Sequence, residues 1–133
     1  MESAERQRAE QKARLVTFLQ KIPLFADLPP STIRKVLSIC SKHALKKNDV
    51  LCRQGDAPDA LYILLMGKLA VTISDSSPVA TIDPLSCIGE MGVFTGEPRA
   101  ATVRAIEESA LLRLQRADLN NIIRKDPGFG VKI

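Results

Sequence analysis

The sequence predicts a mainly β domain with flanking helices, an α+β class in which short antiparallel strands form a sandwich, roll or barrel. Three observations predict it. From Ala44 onward, short segments are separated by turn residues: Asn48 with Asp49, Gln54 to Asp56, Gly67 with Lys68, and residues 75–78. Several of these segments alternate apolar and polar side chains with the period of a strand. On either side the period lengthens to that of a helix, with prolines or glycines at the outer junctions. At 133 residues, 45% of them hydrophobic and 26% charged, the chain suits one domain with a single core and is too apolar for disorder.

The first element is a helix over residues 4–19, rich in good helix formers and free of Gly and Pro until Pro23. Its first half is polar all round, and Leu15, Val16, Phe18, Leu19 and Ile22 come only towards the end. Such a helix docks by its end while its start reaches away. Pro23, Pro29 and Pro30 bracket a loop carrying Leu24, Phe25 and Leu28. A second helix follows over residues 31–40, where Ile33, Val36, Leu37 and Cys40 recur at i, i+3, i+4, i+7 and form one buried stripe.

The strands come next. Leu69, Val71 and Ile73 alternate with Lys68, Ala70 and Thr72, the pattern of a half-buried strand. Ala101, Val103 and Ala105 make a second such face, and Ala110, Leu112 and Leu114 a third. A last helix covers residues 116–125 with Leu119, Ile122 and Ile123 as its apolar stripe, and Pro127 and Gly128 end it. The expected order is helix, helix, β-roll, helix.

Composition excludes several classes. No apolar run reaches transmembrane length, and the charged N-terminus has no signal-peptide core, so a cytoplasmic protein without a membrane segment is expected. Three cysteines in such a chain read as reduced thiols. The net charge of +4 is compatible with an anionic ligand. Arg34, Lys35, Lys42, Lys46, Lys47 and Arg53 read as a solvated face, and a chain with no Trp and one Tyr lacks a base-stacking platform. No direct nucleic-acid contact is expected. Cys40 and His43 have C-x-x-H spacing but no second ligand pair, so no metal site is assigned. Asp56 and Asp59 flank a turn and read as turn chemistry. There is no G-x-S-x-G elbow, P-loop or G-x-G-x-x-G fingerprint, and no catalytic residues are assigned: a non-enzyme is expected.

The chemistry concentrates in residues 88–105, IGEMGVFTGEPRAATVRA. Gly89 precedes Glu90, Met91, Gly92, Val93 and Phe94, which can form one short helical turn with unpaired N–H groups at its start. An anion fits there, and glycine lets the backbone come close. Arg99, placed after the rigid Pro98, can add a charge-assisted pair to a phosphate, and the small Ala100 and Ala101 leave room for it. Glu90 would repel a phosphate and is better suited to accept a sugar hydroxyl. The competing reading is a turn in which Glu90 and Arg99 pair with each other or face solvent.

Gly89 with Glu90, followed by Pro98-Arg99-Ala100-Ala101-Thr102-Val103, closely resembles the phosphate-binding cassette of the cyclic nucleotide-binding domain family. Residues 18–28 (FLQKIPLFADL) look like the family's leading helical segment, and residues 49–71, with turn glycines Gly55 and Gly67, like its first strands. The resemblance implies an antiparallel, jelly-roll-like β-roll with two N-terminal helices, a short cassette helix and a C-terminal helix. It implies Arg99 on a cyclic phosphate and Glu90 on the ribose 2′-hydroxyl, with Gly89, Met91, Ala100 and Ala101 completing the cradle. Ala100, where a threonine would favour cGMP, leans towards cAMP. Pro84-Leu85-Ser86 stands where the family has a Pro-Gly-Asp-like turn, and the connection at residues 74–78 is short.

The expected organisation is an N-terminal helix or linker over residues 1–22 and a binding domain over residues 23–133, with the C-terminal lid helix absent or truncated. The expected function is a sensor that binds a cyclic nucleotide, with no other cofactor, and reports occupancy through its flanking helices to an effector domain or protein. Those helices are also where a dimer would form. The alternatives are a protein-interaction domain that kept the fold and lost the ligand, and the sensor half of a transcription factor.

Overall fold

The structure is a computed structural model, and it describes residues 2–21, 25–26, 28–74, 77–89 and 95–125. Two compact units divide the chain, Met1–Ile39 with Leu119–Ile133, and Cys40–Asp118.

The first unit is helical. Helix α1 (Glu2–Gln20) is exposed over residues 3–14, while Leu15, Val16 and Phe18 are half-buried and Leu19 is fully buried. The late arrival of apolar residues therefore marks where the helix docks. Helix α2 (Pro30–Ile39) begins with proline at its first position, where no N–H is needed. The Pro29 carbonyl accepts from the Thr32 and Ile33 N–H groups at 3.0 and 3.2 Å. Ile33 and Val36 are buried, and Leu37 and Cys40 are half-buried, so the stripe lies on the expected face. The helix stops one residue short of the expected Cys40. The strand region starts at Ser41 rather than Ala44, because residues 41–45 pair along β8 (defined below). Pro23, Leu24 and Ile22 lie outside the described residues.

The second unit is a pair of four-stranded antiparallel sheets. Its strands are β1 (Ser41–Leu45), β2 (Val50–Cys52), β3 (Ala60–Met66), β4 (Leu69–Thr72), β5 (Ala80–Ile82), β6 (Ser86–Ile88), β7 (Thr102–Ala105) and β8 (Ser109–Gln115). One sheet has the order β1-β8-β3-β6 and the other β2-β7-β4-β5. Helix α3 (Arg116–Lys125) follows β8 directly. This is the mainly β roll with flanking helices that the sequence predicts. The cassette helix expected at residues 90–94, and Pro127 and Gly128 beyond α3, lie outside the described residues.

Both sheets supply the inter-sheet core: Leu45, Ala60, Tyr62, Leu64, Ile88 and Leu111 from one, Leu69, Val103 and Ala105 from the other. Strand alternation puts Leu61 and Ile63 on the opposite face of β3, yet they too are buried. A strand covered on both faces reads as the unbroken apolar run seen here.

Two strand faces differ from the sequence expectation. On β8, Leu111 serves the inter-sheet core, while the expected face of Ala110, Leu112 and Leu114 is the outer one. Leu114 is buried there, and Ala110 and Leu112 only half-buried. On β4, Leu69 and Ala70 are buried, Val71 is half-buried and Ile73 is exposed beyond the strand end. Alternation within one strand shows which residues share a face but leaves open which face the partner sheet covers.

Gly67, at φ +104°, is held against Ser109 so closely that a Cβ would overlap it. Ser109 Oγ accepts the Lys68 N–H at 3.2 Å and donates to the Glu107 carbonyl at 2.9 Å, which joins the β3–β4 and β7–β8 turns. Among the described residues no helix is long and apolar enough to cross a membrane.

Candidate ligand-binding site

A cavity of about 460 Å³ opens in the β unit, within the ~300–1,000 Å³ range of small-molecule sites. Val71, Ile82, Ile88 and Val103 give it an apolar wall, and residues 97–101 with Gly89 close one end. Cys52 and Cys87 also line it.

The closed end is built around Arg99. The turn at residues 53–56 grips its main chain: the Gly55 N–H donates to the Arg99 carbonyl and the Arg99 N–H to the Asp56 carbonyl, both at 2.8 Å. That turn is stabilised by the Asp56 carboxylate, which accepts the Arg53 N–H at 2.9 Å. The Gln54 N–H donates to Thr102 Oγ1 at 2.9 Å, just past the cassette arginine. Local turn chemistry around Gly55 (φ +90°) therefore becomes a mount for a residue more than forty positions away.

From this mount the Arg99 side chain runs inward and is 8% exposed. Its Nη2 donates to the Ala60 carbonyl, and its guanidinium carbon lies 6.0 Å from the Tyr62 ring centroid. Its Nε is buried without a hydrogen-bond partner among the described residues. Gly89, at φ +86°, lies directly against the Arg99 head: a Cβ there would overlap Arg99 and come within 3.2 Å of the Ala60 carbonyl oxygen. Glycine is required on both counts.

A carboxylate flanks this arginine on its outer side. Asp59 Oδ1 lies 3.8 Å from Arg99 Nη2, and Asp59 Oδ2 lies 3.3 Å from Arg113 Nη2. Arg113 Nε donates to Tyr62 Oη at 3.3 Å. The Asp59 carbonyl accepts the N–H of Arg116, the first residue of α3, at 2.9 Å. Asp59 is 64% exposed, so its pair with Arg99 is weak, on the order of 0–1 kcal/mol after solvent screening. Among the described residues, then, Arg99 is a buried cation whose counter-ion Asp59 is long and screened and whose buried Nε finds no acceptor. Such a group is costly unless an anion completes it.

Of the residues singled out in the sequence, Gly89, Arg99, Ala100 and Ala101 line the cavity together. Ala100 is exposed and Ala101 half-buried. Glu90 and Met91 lie outside the described residues. Asp59 departs from its sequence reading: Asp56 does the turn chemistry, whereas Asp59 pairs across the fold with two arginines. Tyr62 and Arg113 carried no signal, since their roles arise only from β3–β8 pairing, in which Tyr62 is opposite Arg113.

The thiols differ by environment, and none of the three is in a disulfide. Burial pushes the Cys40 thiol up to about 11. Burial also raises Cys52, against the opposing pull of the Arg99 charge. Its Sγ lies 4.0 Å from the Ala101 carbonyl oxygen. His43 lies beside the Tyr62 ring, with centroids 5.6 Å apart. Among the described residues, no group of three or more His, Cys, Asp or Glu is arranged to hold a metal ion.

Comparison with known proteins agrees with this geometry. A profile of the cyclic nucleotide-binding domain matches residues 42–126. A cyclic nucleotide-gated potassium channel from Mesorhizobium japonicum is 30% identical over 106 residues, covering 80% of this chain and 29% of the channel. The cAMP-dependent protein kinase type II regulatory subunit of Drosophila melanogaster is 31% identical over 116 residues, covering 87% of this chain and 30% of the subunit. The crystal structure of the N-terminal domain of a transcriptional regulator from Streptomyces coelicolor superposes with a TM-score of 0.77 at 30% identity, covering 86% of this chain and 84% of that one. The chain spans less than a third of the length of these two curated relatives.

Proposed function

We propose that this chain, which belongs to the cyclic nucleotide-binding domain family, binds a 3′,5′-cyclic nucleotide, prefers cAMP to cGMP, and performs no chemistry on it. One observation carries the reading: Arg99 is buried in the wall of a cavity of about 460 Å³ with its Nε unpartnered among the described residues. A phosphate supplies the missing acceptor and the missing charge together. Arg99 holds the cyclic phosphate, with backbone groups at Gly89, Ala100 and Ala101 beside it. Glu90 accepts the ribose 2′-hydroxyl, and Met91 completes the cradle, as the family resemblance implies. The apolar wall of Val71, Ile82 and Val103 takes the base. Ala100 supports cAMP, as does the likeness to a cAMP-dependent kinase subunit.

Binding shifts an equilibrium between two arrangements of the flanking helices. The support is the Asp59 link: its carboxylate faces Arg99 and its carbonyl holds the first N–H of α3. The output is an effector domain or a separate cytoplasmic protein. The similar proteins include a channel, a kinase subunit and a transcriptional regulator.

Calorimetry with cAMP and cGMP tests the reading. Saturable binding with cAMP tighter than cGMP is expected, and no heat from either at high micromolar concentration ends it. Arg99→Ala should lose about 1.5–3 kcal/mol of binding free energy, the range for hydrogen bonds to charged groups. Unchanged affinity in that variant removes Arg99 from the phosphate.

A further inference from the structure

Arg113 does not line the cavity, yet it is the better-engaged partner of the carboxylate that faces Arg99. Its Nη2 reaches Asp59 Oδ2 at 3.3 Å, against 3.8 Å from Arg99 to Asp59 Oδ1. Its Nε is tethered to Tyr62 Oη at 3.3 Å. Tyr62 and Arg113 are direct cross-strand partners in β3 and β8, so they share a face of the sheet. The guanidinium is thus held at two points, by Tyr62 on β3 and by Asp59 just before that strand, and the Arg113 side chain is only 24% exposed.

We propose that Arg113 is a positioning residue for anion binding. It holds the Asp59 carboxylate off Arg99 and so keeps the cavity arginine available to a phosphate. The charge count explains how. Arg99, Asp59 and Arg113 together carry one net positive charge, which an anion can meet. Without Arg113, Arg99 and Asp59 neutralise each other, and the carboxylate competes with a phosphate for the same guanidinium. Arg113 meets no ligand in this account and acts wholly through Asp59. The phosphate part rests on the ligand reading above; the hold on Asp59 does not.

The test uses the full chain with cAMP as the probe at low salt. Arg113→Gln, which keeps most of the stem and loses the charge, should bind cAMP about two- to fivefold more weakly, the scale of a partly exposed ion pair. Arg113→Lys, which keeps the charge, should stay within about twofold of the unchanged chain. In an Asp59→Asn background, Arg113→Gln should have no further effect. An equal loss in that background would mean that Arg113 acts as a distant charge, and the proposal falls. It also falls if Arg113→Gln binds as tightly as the unchanged chain.

A second readout needs no nucleotide. The 15N resonances of the Arg99 guanidinium, assigned with Arg99→Lys, should move in Arg113→Gln. They should not move between Asp59→Asn and the double variant. Resonances that stay put in Arg113→Gln overturn the proposal whatever cAMP does. Resonances that move as expected in a protein binding neither cAMP nor cGMP uphold the hold on Asp59 and end the ligand reading alone.

Discussion

The inter-sheet core and the arginine end of the cavity are similarly shielded and energetically opposite. Ala60, Leu64, Leu69 and Ala105 are fully buried and wholly apolar, and each large side chain among them stabilises the fold by roughly 1.5–3 kcal/mol. Arg99 is 8% exposed, but it is a cation whose Nε has no acceptor among the described residues, and burying such a group works against folding. The two sheets supply the stability that lets the site keep an unsatisfied group. Core residues should therefore govern stability with little effect on affinity, and site residues the reverse.

The largest effect is expected in the core. Leu69→Ala should lower unfolding free energy in urea by about 2–5 kcal/mol, while the folded protein binds cAMP nearly as before. A matching collapse in affinity would dissolve the distinction between the two regions. At the site, Gly89→Val should weaken cAMP by about a hundredfold or more, roughly 2.7 kcal/mol. The reason is that its Cβ displaces Arg99 and its φ of +86° is unfavourable for a branched side chain. Retained affinity would show that Arg99 has another place to go.

Arg99→Met isolates the opposition most directly. It should lose affinity about ten- to a hundredfold and yet be no less stable than the unchanged chain without nucleotide, since an under-bonded cation is replaced by an apolar side chain. A clear loss of stability would mean that the Ala60 and Asp59 contacts outweigh the burial cost.

The smallest effect separates two thiols. Cys40 is raised by burial, from 9.0 to about 11, whereas at Cys52 the Arg99 charge opposes burial. Because the folded value of Cys40 lies above the unfolded one, its contribution is fully present below about pH 9 and is lost as pH climbs towards about 11. Cys40→Ala should flatten the decline of stability across that window. An unchanged slope would place the cause in other groups.

Much of the fold was legible in the sequence. The stripe of Ile33 and Val36, the end-loaded apolar residues of α1 and the bounds of α3 follow from local periodicity, which one stretch of chain carries by itself. The inward face of β8 was not legible. Ala110, Leu112 and Leu114 share a face as expected, but Leu111 meets the opposite sheet. At the site, Gly89, Arg99, Ala100 and Ala101 stood out as a run of residue types. Asp59, Tyr62 and Arg113 did not, because an aspartate near a turn, a tyrosine in an apolar strand and an arginine in another carry no mutual signal before the strands pair.

By itself, then, the sequence determined the order of elements, the turn positions and the family of the cassette, because each depends on neighbours in the chain. Tertiary structure decided that Arg99 is buried, that its Nε has no partner among the described residues, and that one carboxylate divides its two oxygens between two arginines. Those facts depend on β3 lying between β6 and β8 and on the turn at residues 53–56 reaching residue 99. Burial and charge pairing belong to groups distant in sequence, and only the folded chain brings them within reach.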